Sequence, residues 1–509
     1  MKINRILRTK YNIVAGAINR ISVLLLGFLI RTYVIHYLGN EYVGLSGVVT
    51  SILNILNLAE LGFASAVIFN LYKPVAENDT EQICALLAFY RKAYLAIGSI
   101  VLVGGLLIFP FLHFFIHADI PENVNINIVY IIYLVNTCIG YFFFGYINVL
   151  LNAHQRNDVD SYLSVLTYII EYGVQIVVLV AFRNYYLYIL AIPLATLTMN
   201  IVRYVIVRRM YPDYICRGTI DSKTKKSVYE NIKGLVIQKI CASTRNTFDS
   251  IFISGYIGLM AAGLYSNYFY ILSSVHGILV VFNSAMSAGI GNSIAIESQE
   301  KNHNDMMKFI FIYGWLSGLC TICMLCLYQP FMKIWAGAEN LLPFYDVILF
   351  CLYFYSLTLG DIRSNYSAGA GLWWHERYRS LAEVVANVIL NAVLGKLYGI
   401  PGIIVATLIT IVFINFGYGS TIIYMKYFTN FSVITYYKRN AMYFAITLLT
   451  AIPTYLLTTL IVKDGVLGLI EIAIITGTVP NIVFYTIYHR LPVFKEAQSL
   501  FLRTIKSRG

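Results

Sequence analysis

The chain has 509 residues, of which 59% are hydrophobic and only 12% charged, and its mean hydropathy is +0.70. Long apolar runs recur from end to end, and no polar interval between them is long enough to enclose a core of its own, so the class is polytopic membrane protein rather than soluble enzyme. The net charge of +12 reads as topology and not as a nucleic-acid footprint: when the connections are assigned to alternating sides, the Lys and Arg residues gather on one side, leaving Arg183, Lys333, Lys396 and Lys463 on the other.

The runs suggest an all-α protein of about 14 transmembrane helices, at 13–38, 43–71, 83–112, 126–152, 161–182, 186–207, 233–256, 262–296, 309–329, 343–370, 380–398, 402–425, 440–462 and 466–489. Both termini are then cytoplasmic. Residues 1–12, with Ile3, Ile6, Leu7 and Tyr11 set among Lys2, Arg5, Arg8 and Lys10, read as an interfacial segment feeding the first span, not as a cleavable leader.

The first span carries Arg20 and Arg31. An arginine near mid-bilayer is costly, roughly 2.5–3.5 kcal/mol on insertion scales. Eleven residues make three helical turns plus about 20°, so the two share a face, roughly 16 Å apart along the axis. The second span holds Asn54, Asn57 and Glu60, and the fifth holds Glu171 and Gln175. A basic loop at 208–232 precedes the seventh span, where Lys239, Ser243, Asn246 and Ser250 form a stripe, and Arg245 stands one turn from Asp249, close enough to pair. Cys320, Cys323 and Cys326 lie in an apolar run without neighbouring His or carboxylate, which points to packing rather than metal. Asp361 and Arg363 follow in the tenth span, and Glu383, Asn387 and Asn391 make a polar stripe in the eleventh. Residues 490–509 form an amphipathic cytoplasmic tail.

An internal repeat organises these spans. Tyr37-Leu38-Gly39 and Val43-Gly44-Leu45 return 219 residues later as Tyr256-Ile257-Gly258 and Ala262-Gly263-Leu264, and a weaker pair sets Ala195-Thr196-Leu197 against Ala406-Thr407-Leu408. Six spans, an even number, separate the copies, so the repeat is parallel: two six-helix lobes related by an axis along the membrane normal. The expected organisation is an N-lobe at 13–207, a joining loop at 208–232, a C-lobe at 233–425 and two additional helices at 426–489. At the repeat offset Arg20 falls on Lys239 and Arg31 on Ser250.

No catalytic pattern emerges. The sequence has no phosphate-cradling Gly loop, no paired-His spacing and no Ser or Cys nucleophile beside a plausible base. A polytopic polysaccharide polymerase or ligase would need a catalytic site on the outer face, and the outer loops hold about a dozen residues at most, with no cluster of acids. The residues point away from an enzyme and suggest no cofactor.

The stretch Tyr37-Leu-Gly-Asn-Glu-Tyr-Val-Gly-Leu45, followed by Leu58-Ala-Glu-Leu-Gly-Phe63 and Leu71-Tyr-Lys-Pro74, resembles the bacterial polysaccharide flippases, the Wzx-type O-antigen and capsule translocases of the multidrug/oligosaccharidyl-lipid/polysaccharide exporter superfamily. The likeness is densest over residues 11–95 and continues more loosely beyond. The resemblance implies two lobes around a central cavity that opens alternately to either side of the bacterial inner membrane. It implies as substrate an oligosaccharide carried on undecaprenyl pyrophosphate, with a glycan polymerase or export machinery as possible partner. The family's pyrophosphate-holding bases would fall on Arg20, Arg31, Lys239 and Arg245. Glu60, Glu171, Asp249, Glu383 and Asn387 are the candidates for Na+ or H+ coupling or gating. A drug exporter of the multidrug and toxin extrusion type shares the fold and is the alternative. Its organic-cation substrates fit a cavity lined by bases poorly.

Overall fold

The computed structural model describes residues 5–60, 63–116, 120–222, 225–226, 228, 247–461 and 465–506. Among these residues the chain is helical and has no strand. The long helices are α1 (Arg5–Tyr37), α2 (Asn40–Leu56), α3 (Phe63–Glu77), α4 (Thr80–Ile108), α5 (Ile126–Phe142), α6 (Asn157–Phe182) and α7 (Tyr185–Met210). They continue as α8 (Leu259–Ile296), α9 (Gln299–Trp335), α10 (Phe344–Leu359), α11 (Asp361–Gly369), α12 (Arg377–Tyr398), α13 (Ile400–Ile409), α14 (Gly419–Lys426), α15 (Val433–Ile461), α16 (Val466–Tyr488) and α17 (Pro492–Lys506).

Among the described residues, eleven helices are long and apolar enough to cross a membrane, or twelve when a bent pair counts as one span. This is a multi-pass membrane protein. Two of the fourteen expected spans, the second and the seventh, are not in that count. The second is broken: α2 stops at Leu56, and Asn57–Glu60 wind as a 3-10 turn before α3. The seventh, 233–256, lies largely outside the described residues, and so do Lys239 and Arg245. The fourth expected span, 126–152, is bent by 48° between α5 and the short helix that follows it. Residues 5–12 belong to α1 without interruption, so the expected surface segment continues directly into the first span.

Several starts are set by local side chains. Asp79 caps α4 by accepting from the Gln82 amide, Asn125 caps α5, Asn184 caps α7 and Ser298 caps α9. Each supplies an acceptor to an amide that a helix start leaves without an intrahelical partner.

The repeat is visible in the backbone. Leu38 and Gly39 both donate to Val34 O, and 219 residues on Ile257 and Gly258 both donate to Ile253 O. Gly39 and Gly258 share positive φ, 110° and 120°, which closes the preceding helix in a conformation that a side chain would strain. The two copies also touch. A methyl group placed on Gly44 would lie 2.1 Å from the Leu259 carbonyl oxygen, and one on Gly263 would lie 2.1 Å from that of Asn40. Asn40 and Leu259 are themselves repeat equivalents, so the contact within this unit is reciprocal.

The chain divides into two compact units, Met1–Gly263 and Leu264–Gly509. The division falls in the first turn of α8, later than the loop 208–232, because that turn packs its backbone against α2. In the first unit α1 lies along α6, and α4 packs on α3 and α5. In the second unit α9 is the central helix, contacted by α10, α15, α16 and α17. The two additional C-terminal helices are thus part of this unit's core: Trp315 Nε1 donates to Asn481 Oδ1 at 2.7 Å. Phe494 of α17 meets Phe311, Trp315 and Tyr485, and Glu496 stands 3.5 Å from Lys308, so the tail is docked on α9 and α16.

Candidate functional site: a polar cavity at two helix breaks

In helices selected for lipid, an interrupted backbone survives only where protein or a wet cavity satisfies it. Both breaks of the first unit face one cavity of about 700 Å³. One wall is the turn carrying Asn57 and Glu60. The other is the bend after α5, where Phe144 takes a left-handed conformation (φ 60°) and stacks on Tyr204 of α7 at 4.2 Å. A bulky residue held at positive φ is strained, and such strain gathers at functional positions.

Six asparagines (54, 57, 136, 148, 152 and 200) and four tyrosines (90, 94, 133 and 141) contribute to the lining. Glu60 is its carboxylate. Tyr94 of α4 donates to Oε1, and Tyr141 of α5 donates to Oε2 at 2.7 Å while lying 3.1 Å from Asn57 Oδ1. Both oxygens therefore have donors from neighbouring helices, which holds the acid at the break. Arg203 of α7 is the lining base. It pairs with Asp160 at 2.6 Å, and its Nη1 donates to Asn200 Oδ1 at 3.3 Å. Asn136 Oδ1 and Asn148 Oδ1 are buried and have no hydrogen-bond partner among the described residues. A buried acceptor left unsatisfied costs about 1–3 kcal/mol, an expense that favours a polar ligand at these two amides.

The other expected site residues are scattered. Arg20 is exposed and Arg31 half-buried on α1, and neither lines this cavity. Glu171 lines a separate cavity of about 250 Å³, mostly apolar, with Thr167 and Thr198. Asp249 is fully buried. Asn387 donates to Thr407 Oγ1 at 3.0 Å and accepts from Asn391 at 3.3 Å. Glu383 belongs to a buried network in which Arg379 reaches Glu383 at 2.8 Å and Glu376 at 3.2 Å, while Arg363 reaches Glu376 at 3.2 Å. Asn415, in a π-helical stretch at 410–418, bridges Arg363 and Glu383. Two arginines against two glutamates is a neutral set that fixes α11, α12 and the π-helix together.

Sequence reading found Asn54, Asn57 and Glu60 but missed Tyr94, Tyr141, Asn136, Asn148, Asn152 and Asn200. The four-residue spacing of Asn148 and Asn152 was an available signal for a polar helix face. The tyrosines gave none, because the chain has 42 of them.

The family model for "Polysaccharide biosynthesis protein" matches residues 11–288, more than half of the chain and the whole of this cavity. The chain belongs to the polysaccharide biosynthesis protein family. Its fold is similar to that of the lipid II flippase MurJ in an inward closed conformation, with a TM-score of 0.64 at 15% identity, covering 94% of this chain and 99% of that one. It is also similar to an inward-facing multidrug resistance MATE transporter of the MOP superfamily, with a TM-score of 0.61 at 15% identity over 80% of this chain and 97% of that one. A point mutant of the Vibrio cholerae MATE transporter VcmN follows with a TM-score of 0.59 at 12% identity over 84% and 98%. At such identities these structures establish the fold and not the substrate. Among curated proteins none matches.

Proposed function

We propose that this family member is a flippase that moves an undecaprenyl-pyrophosphate-linked oligosaccharide from the cytoplasmic to the outer leaflet of the bacterial inner membrane. It serves capsule, O-antigen or exopolysaccharide assembly, with a glycan polymerase or export machinery receiving the product. The observation that carries this reading is the polar cavity of about 700 Å³ built at two broken helices inside an otherwise apolar unit. A sugar headgroup cannot cross hydrocarbon, whereas the polyprenyl tail can stay in lipid while the head passes through a polar enclosure. No covalent step is needed, only a site whose exposure alternates and whose affinity differs between states. On this reading Arg20 and Arg31, with Lys239 and Arg245, attract the pyrophosphate through their charge and, for arginine, a planar fork of donors. Glu60, held by two hydroxyls at a helix break, is the first choice for Na+ or H+ coupling; Asp249, Glu171, Glu383 and Asn387 follow it.

The experiment is thermal stability of the purified protein with undecaprenyl pyrophosphate or with tetraphenylphosphonium, since a ligand of the native state raises the midpoint by mass action. Stabilisation by the lipid that is lost in Arg20→Ala and Arg31→Ala supports the flippase. One observation favours the cation exporter as second reading: a carboxylate among tyrosine rings suits an organic cation. Stabilisation by tetraphenylphosphonium alone, lost in Glu60→Gln, would establish that reading instead. Transport that persists after both ion gradients are collapsed would remove the coupling role of Glu60.

A further inference from the structure

We infer that the first-unit cavity is a sugar subsite: it takes neutral pyranose units of the lipid-linked substrate and not the pyrophosphate. This rests on the flippase reading and assigns that cavity its part of the substrate.

Charge decides against phosphate. The lining base, Arg203, is already paired with Asp160 and bonded to Asn200. The lining acid, Glu60, would repel a phosphate, and its two oxygens already accept from Tyr94 and Tyr141. A phosphate entering here would meet more negative than available positive charge. A neutral sugar faces no such conflict.

Hydrogen-bond chemistry points the same way. A sugar hydroxyl both donates and accepts, and a carboxamide does the same from one planar group. Asparagines face the cavity from α2, the turn after it, α5, the short helix Asn148–Ala153 and α7, so amides surround the space from several directions. Among the residues lining this cavity, Asn136 Oδ1 and Asn148 Oδ1 are buried acceptors without a hydrogen-bond partner, and they come from either side of the bend after α5. A hydroxyl donating to each would complete them. The half-buried ring of Tyr133 adds an aromatic surface to the lining, of the kind against which the C–H side of a pyranose packs. The volume lies within the roughly 300–1,000 Å³ of small-molecule sites.

The repeat supplies an internal control. At the position equivalent to Asn136 the second unit carries Tyr355, buried at 2% exposure. The space beside Tyr355 and Tyr313 there is only about 20 Å³. At this position one repeat presents an amide to a cavity and the other a buried ring.

The test compares two lipids on the full-length purified protein: bare undecaprenyl pyrophosphate and undecaprenyl-pyrophosphoryl-N-acetylglucosamine. The wild type should bind the sugar-bearing lipid more tightly. Asn136→Leu and Asn148→Leu should each weaken that lipid about threefold to tenfold, the range of one neutral hydrogen bond, and leave the bare lipid unchanged. Asn136→Gln, which keeps an amide, should retain most of the preference. Asn136→Tyr, which installs the second unit's residue, should abolish it while the unliganded midpoint stays near wild type. Equal affinity of the wild type for both lipids, or equal weakening of both by the leucine variants, overturns the sugar subsite and leaves the flippase standing. Failure of the wild type to bind either lipid removes the flippase reading and the subsite with it. Tetraphenylphosphonium binding that disappears in Asn136→Tyr would make the cavity a cation site.

Discussion

The two units begin from one plan and diverge at the same place. In each, a tyrosine holds a carboxylate at a helix break: Tyr94 of α4 donates to Glu60 after α2, and Tyr313 of α9, its equivalent 219 residues later, donates to Asp361 at 2.5 Å at the start of α11. The acid has changed helices, and His276, the equivalent of Asn57, stands 3.1 Å from the same Asp361 oxygen. Tyr94 and Glu60 line the cavity of about 700 Å³, whereas the space beside Tyr313 and Tyr355 is about 20 Å³. The second unit instead buries a neutral Arg–Glu network and packs α15 and α16 against α9. A repeat thus preserves the backbone frame and the carboxylate clasp while the side chains beside the clasp differ, an amide at Asn136 and a buried ring at Tyr355.

The largest effect should come from the second unit's charges. Arg379→Ala leaves Glu383 and Glu376 buried without their shared partner, a change of about 3–5 kcal/mol. A thermal midpoint that falls steeply for Arg379→Ala but hardly for Asn148→Ala would confirm that one unit is built for rigidity and the other for occupancy. Equal losses would erase the distinction.

Tyr355→Asn imitates the first unit in the second. Removing a buried ring leaves a cavity, and large-to-small changes of aromatic residues cost about 3–5 kcal/mol, somewhat less where a polar replacement admits water. Calorimetry should show this loss while binding at the first unit is retained. A neutral outcome would mean that volume at this position does not separate the units.

Next come Gly44→Ala and Gly263→Ala. Neither carbonyl can yield without moving a helix, so each substitution should cost about 1–3 kcal/mol by overpacking. Because the contact is reciprocal, the two variants should lose similar amounts. A large difference in their melting midpoints would show that the two close approaches are not equivalent.

The smallest effect tests the shared clasp. Tyr94→Phe and Tyr313→Phe each remove one hydrogen bond to a carboxylate that keeps another partner, Tyr141 or His276, so each should lose about 0.5–1.5 kcal/mol. Parallel losses in chemical denaturation would show that the motif has the same structural worth in both units. A marked excess for Tyr94→Phe would tie the first unit's clasp more closely to folding than to function.

Much of the frame was legible before the structure. Gly39 and Gly258 announced the repeat because closing a helix at positive φ restricts the residue type, and Glu60 stood out because a carboxylate in an apolar run is conspicuous. The breaks beside them were not legible. Nothing local distinguishes Asn57 in a 3-10 turn from Asn57 in a continuing helix, and Phe144 is an improbable residue for a left-handed bend. Arg20 and Arg31 stand out as costly charges in an apolar run, yet periodicity fixes only which face they share and not what that face meets.

By itself the sequence determined the solvent of this protein, its helical class and its duplication, because hydropathy and helix-closing glycines are local properties that survive without knowledge of neighbours. Tertiary structure alone decided that Tyr94 and Tyr141, 47 residues apart, clasp one carboxylate, that Glu383 joins a neutral network, and that six asparagines from separate segments line one cavity. Those outcomes depend on which side chains fill the space between helices, and packing is a property of many segments at once.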